Sequence, residues 1–162
     1  MTDPEPTDHE PTDAVNGAVE GDAIIAASWS GTVLLLLVSA LAVAFDAAAL
    51  PATIVDLLLF AGGVVAFLWA YGIAVGRSRT DEIGIGGLFF LQTTAPRRVQ
   101  VRLIGALLAQ VAIAATAAGL RPFTSVAFSV LAPMWGLGLA GQWGARHGHF
   151  APRVRDGDAP AR

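Results

Sequence analysis

The chain has no cysteine and no lysine, a single tyrosine and only two methionines in 162 residues. Without cysteine there is no disulfide, no thiolate nucleophile, no cysteine-ligated zinc and no iron–sulfur cluster. Without lysine, all ten basic residues are arginine. Beside so much alanine and glycine that reads as coding bias and points to no mechanism. Charge is scarce too: 14% of residues are charged, against ~25% in soluble domains. What remains is apolar, at 54% hydrophobic residues.

The few charges are segregated. Residues 1–22 hold seven acids (Asp3, Glu5, Asp8, Glu10, Asp13, Glu20, Asp22) and no base. The net charge of −3, less the tail's −7, leaves +4 on the rest of the chain. The tail repeats Pro-Thr-Asp at 6–8 and 11–13 and offers little apolar surface to offset the entropy of ordering, so it reads as a disordered acidic segment. It does not read as a signal peptide. That would need a basic start and an apolar stretch of ~7–15 residues, whereas here an acidic segment precedes an uncharged run over 24–45.

A hydrocarbon core ~30 Å thick takes ~20 apolar residues in helical form. Four segments qualify: 24–45, 52–75, 100–120 and 123–143. Their hydrophobicity is continuous rather than alternating, which selects helix over transmembrane strand. The expected fold is all-α: a polytopic membrane bundle over 23–150, followed by a flexible basic tail over 151–162. Short connections at 46–51 and 121–122 predict two antiparallel hairpins, joined by the longer polar connection 76–99. Its apolar part, 83–91, is too short to span and is expected to lie at the interface or dip in as a re-entrant turn. Nine of ten arginines flank the 76–99 connection or follow the last segment; Arg121 alone falls on the other side. This bias puts both termini in the cytoplasm of a multi-pass plasma-membrane protein. Trp29, Trp69, Tyr71 and Trp143 would then lie near the cytoplasmic interface, and Trp135 deeper.

No catalytic constellation stands out, and no cofactor or nucleic acid is implied. Gly136, Gly138 and Gly141 match the dinucleotide spacing G-x-G-x-x-G but sit inside an apolar span, without the strand that fingerprint needs. Small residues that let helix backbones approach in lipid explain them better. Gly72 and Gly76 form a G-x-x-x-G with the same reading, and Ala106, Ala109, Ala112 and Ala117 add to it. Pro133 should kink the fourth helix, as a static bend or a hinge. Asp56, near the outer end of the second span, is either an interfacial acid favoured by the helix N-terminus or a functional group. Pairing with Arg121 would let it tie the two hairpins together. Gln110 should hydrogen-bond across helices or, alternatively, line a path. Arg97, Arg98 and Arg102 are expected to face anionic headgroups. Asp81, Glu82, His147 and His149 would form a site only if loop and tail meet. The two histidines alone make a poor metal site.

Residues 88–98 (LFFLQTTAPRR) and 121–148 (RPFTSVAFSVLAPMWGLGLAGQWGARHG) resemble small actinobacterial integral membrane proteins of about four transmembrane helices. The likeness covers roughly 25–153. It implies a bacterial membrane but carries over no catalytic residue, since that family has no assigned activity. The leading expectation is a non-enzymatic accessory or scaffold bundle whose partners are the lipid bilayer and a second copy or another membrane protein. The alternative is a small transporter or channel component working as an oligomer. A membrane enzyme ranks third.

Overall fold

A computed structural model describes residues 10–79 and 81–152. These form α1 (Glu10–Ala44), a 3₁₀ turn (Asp46–Ala48), α2 (Ala49–Arg77), α3 (Ile85–Phe89), α4 (Arg97–Leu120), a 3₁₀ segment (Ser125–Leu131) and α5 (Met134–His147). Among the described residues there is no strand, only an isolated bridge between Asp81 and Pro152.

Three helical stretches are long and apolar enough to cross a membrane: Gly21–Ala44, Asp46–Arg77 and Arg97–Leu120, of 24, 32 and 24 residues. At 1.5 Å per residue even the shorter ones reach ~36 Å, more than the ~30 Å hydrocarbon core. Only 33%, 28% and 28% of their most apolar windows is buried inside the chain. Leu36, Leu58, Val65, Leu68 and Leu108 all point outward. Water does not suit so extensive an apolar surface, and hydrocarbon does. These are the helices of a membrane protein.

Two expectations from sequence need correction. First, α1 begins at Glu10, so residues 10–22 are helical rather than disordered; residues 1–9 lie outside the described residues, as do 153–162 of the C-terminal tail. Extending an existing helix costs far less than nucleating one, and Pro11 sits in the first turn, where proline is tolerated. Second, the segment 123–143 is not one helix. It is the 3₁₀ segment followed by α5, whose 14 residues are too few to span alone. Pro133 has no N–H to continue the ladder and becomes the N-cap of α5.

The closest packing, however, joins segments that are not neighbours in sequence. The strongest packing joins α2 to α5, while α4 packs against both α1 and the broken fourth segment; the α2–α5 and α1–α4 pairs run parallel. Thr53 meets Ser125 at one end of the α2 pairing and Arg77 meets Ala145 at the other. The broken segment thus runs beside α2 over nearly its whole length. A 3₁₀ stretch rises ~2.0 Å per residue, so the break sacrifices no reach. The α1–α4 pairing is marked by Gln110 against Thr32 and by Ala117 with Ala42 in one cluster.

Side-chain size explains the choice of partner. A Cβ on Gly63 of α2 would collide with the backbone of Met134 and Trp135, and one on Gly138 with the carbonyl of Gly63. Only glycine permits that approach, and the close contact supplies the dispersion energy that holds helices together in lipid. The core is correspondingly small-sided. Leu35, Leu59 and Ala132 cluster in the middle, and Ala42, Ala52, Ala117 and Val126 at one end. At the other end Ile25, Leu91, Leu103, Ala140 and Trp143 pack together. Trp143 is thus buried inside the bundle, 7% exposed, whereas Trp69 faces outward at 59%.

Candidate functional site

The polar interior of the bundle is organised by the break at Pro133. A helix N-terminus leaves its first N–H groups without partners, and α5 starts deep inside the bundle. Gln110 of α4 supplies one of the missing acceptors: its Oε1 accepts from the Gly136 N–H at 3.0 Å. Its Nε2 donates to Thr32 Oγ1 at 2.8 Å and to the Ser28 carbonyl at 3.3 Å, both on α1. Thr32 in turn donates to the Ser28 carbonyl at 2.9 Å. Gln110 is 1% exposed, and both of its N–H groups and its carbonyl are engaged. It joins α1, α4 and α5. A Cβ on Gly136 would stand 2.7 Å from Gln110 Oε1 and would push the amide from its place. Next to it, Trp135 donates from Nε1 to the Ala27 carbonyl at 3.1 Å.

Two arginines finish helix C-termini from other parts of the chain. Arg121 reaches the Ala42 and Val43 carbonyls in the last turn of α1, at 3.4 and 3.2 Å. It pairs with Asp46 at 2.5 Å. The pair expected between Arg121 and Asp56 is therefore not formed. Asp46, just beyond α1, lies beside the carbonyls that the guanidinium caps, whereas Asp56 faces inward. The tie between the two connections still exists, made by a different acid. At the opposite end, Arg77 donates to the Ala145 carbonyl at 2.8 Å and the Gly148 carbonyl at 3.3 Å, capping α5. It also pairs with Asp81 at 3.2 Å and stands over the Phe150 ring. Sequence reasoning counted Arg77 only for its charge; the helix end it caps is 68 residues away and carries no local signal.

The 76–99 connection and the C-terminal stretch do meet, chiefly through backbone. The Glu82 N–H donates to the Ala151 carbonyl at 2.8 Å and the His149 N–H to the Thr94 carbonyl at 3.0 Å. His147 stacks on Trp143. No three His, Asp or Glu side chains converge on a metal-sized site among the described residues. The connection also dips inward: Phe89 of α3 stacks on Phe67 at 4.4 Å. Phe67 lies ten residues before Arg77, ~15 Å along α2. Leu91 and Thr93 hold positive φ of 55° and 62° on the return, a strained conformation for side chains of that kind. Leu91 is fully buried there, so packing holds the turn in place.

Asp56 is 2% exposed, with Oδ1 lacking any hydrogen-bond partner. Thr53, one turn earlier, donates to the Ser125 carbonyl, and Leu59, one turn later, packs with Leu35 and Ala132. Asp56 thus lies level with the 3₁₀ segment. Ser39 of α1 is also buried and unpartnered. The clefts between α1 and α4 (about 540 Å³) and between α2 and α3 (about 590 Å³) are lined by neither Asp56 nor Gln110.

The glycines divide. Gly136, Gly138 and Gly141 all face close neighbours, Gly141 against the Phe89 ring. Gly72 and Gly76 have nothing within 4 Å of where a Cβ would sit. Their helix-packing role is not exercised inside this chain. Arg97, Arg98 and Arg102 lie together on the exposed first turns of α4. Compared with protein-family models, curated proteins and solved structures, the chain matches none.

Proposed function

We propose that this chain is a non-enzymatic accessory or scaffold bundle of the plasma membrane. It crosses four times with both termini cytoplasmic, and acts beside a second copy or another membrane protein. The observation that carries the reading is Gln110. The one strongly polar amide deep in a span has every hydrogen-bonding group engaged in joining α1, α4 and α5. Nothing of it is left to line a path. A fourth crossing is supported by the course of the 3₁₀ segment and α5 beside α2, and the orientation by the arginine bias. The outward G-x-x-x-G of Gly72 and Gly76 supplies a face on which a partner helix can approach closely. Crosslinking in native membranes, followed by gentle detergent extraction, should yield a discrete assembly larger than the monomer. A monodisperse, partner-free monomer would overturn the accessory role, and a periplasmic C-terminal reporter would overturn the topology.

One observation favours the transporter reading: an acid buried in the bundle without a partner for Oδ1. Ionisable residues within membrane spans mark ion or proton paths often enough to test. Liposome flux of protons or sodium that disappears in Asp56→Asn would establish it; identical leak in both proteins would eliminate it.

A further inference from the structure

Arg97, Arg98 and Arg102, with Val101, wall a cleft of about 540 Å³ at the polar end of α4. None of the three pairs with an acid among the described residues. The helix they begin has no side-chain cap on its N-terminus. Three guanidinium groups and the positive end of a 24-residue helix therefore lie together with no acid among the described residues to answer them.

A second cleft, of about 430 Å³, adjoins the first and shares Val101 as a wall. Its apolar lining is Phe90, Val101, Ile104, Gly105 and Leu108. On α4 these occupy one face, at positions i, i+3, i+4 and i+7 from Val101. Gly105 has open space where a side chain would stand, which makes it the floor of the groove. Gln100 donates to the Phe90 carbonyl at 3.2 Å and fastens the rim. From Arg98 to Leu108 the helix rises ~15 Å, half of a ~30 Å hydrocarbon core. The combined feature has the polarity of one phospholipid: an anion-seeking end, then an apolar slot one leaflet deep.

We infer that α4 binds one anionic phospholipid, with its phosphate among Arg97, Arg98 and Arg102 and an acyl chain lying over Gly105. The charge decides the headgroup. A zwitterionic lipid would fill the slot but bring its own cation towards three guanidinium groups, whereas a free phosphate would satisfy the arginines and leave the slot empty. The inference rests on the chain lying in a bilayer and is independent of the accessory role. Lipid retention and partner crosslinking can therefore fail separately.

The test is native mass spectrometry of the full chain released from nanodiscs of equal parts phosphatidylglycerol and phosphatidylcholine. The wild type should keep one phosphatidylglycerol. The double variant Arg98→Gln, Arg102→Gln should lose it at least about tenfold, the scale of charge-assisted hydrogen bonds. Gly105→Leu fills the slot without touching the arginines and should lose the lipid to a similar degree, while leaving the melting temperature in detergent unchanged. Should the arginine variant fail to fold, Gly105→Leu and competition with soluble glycerol 3-phosphate still decide. Retention unaffected by Gly105→Leu, displacement by millimolar glycerol 3-phosphate, or equal retention of the two lipids would each overturn the site.

Discussion

The two sets of glycines on α2 and α5 look alike on paper and differ in space. Gly63 and Gly138 are pressed against backbone, so that a single added carbon would collide. Gly72 and Gly76, about two and a half and three and a half turns further along α2, face nothing. Small-residue spacing shows that a helix is able to pack closely; it does not show against what. The difference arises because α5 covers one face of α2 and leaves the opposite one bare, and Gly72 and Gly76 fall on the bare face beside Leu68, Trp69 and Val75.

The comparison can be broken outright by swapping the burden between the two sets. Gly138→Leu should cost about 3 kcal/mol or more, because overpacking against backbone has no rotamer escape. A melting temperature in detergent within a degree of wild type would show that α2 and α5 are not closely seated. Next comes the polar end of the same seam. Gln110→Leu leaves the Gly136 N–H and Thr32 without their partner and should cost about 2 kcal/mol, read as lower resistance to a denaturing detergent. At the far end of α1, Arg121→Ala should cost about 1 kcal/mol, whereas Asp46→Ala should stay within about 0.5 kcal/mol, since an exposed ion pair contributes little. A double-mutant cycle of Arg121 with Asp56 should give no coupling, and measurable coupling would restore the pair that the structure replaces. Smallest of all for stability is Gly72→Leu, expected within about 0.5 kcal/mol of wild type. It should nevertheless abolish crosslinked assemblies, and unchanged assemblies would place the partner elsewhere.

How much of this was legible beforehand depends on range. The long spans of α1, α2 and α4 could be read because length and apolarity are local properties. The stretch 83–91 could be read as apolar yet too short to span, but its seat against Phe67 of α2 could not. The fate of 123–143 was not. Pro133 advertised a disturbance, but that α5 would begin there, capped by a glutamine from another helix, depends on a contact 26 residues away. Asp56 and Asp46 both sit near the connection between α1 and α2. Composition alone could not say which would meet Arg121; direction decides, one facing inward and one exposed beside the end of α1. Residues 10–22 misled through their acids and prolines, because composition hides the ease with which an adjoining helix grows.

The parallel pairing of α2 with α5 also has a consequence for biogenesis. Chains emerge from the ribosome N-terminus first, so α2 enters the bilayer before its main neighbour has been synthesised. Until residues 125–147 follow, Gly63 lacks the backbone it is seated against, and Gln110 holds α1 without a helix start to cap. Assembly therefore has to finish from the late end. A product stopped at residue 124 would keep all three long helices and still lack the piece that closes the structure.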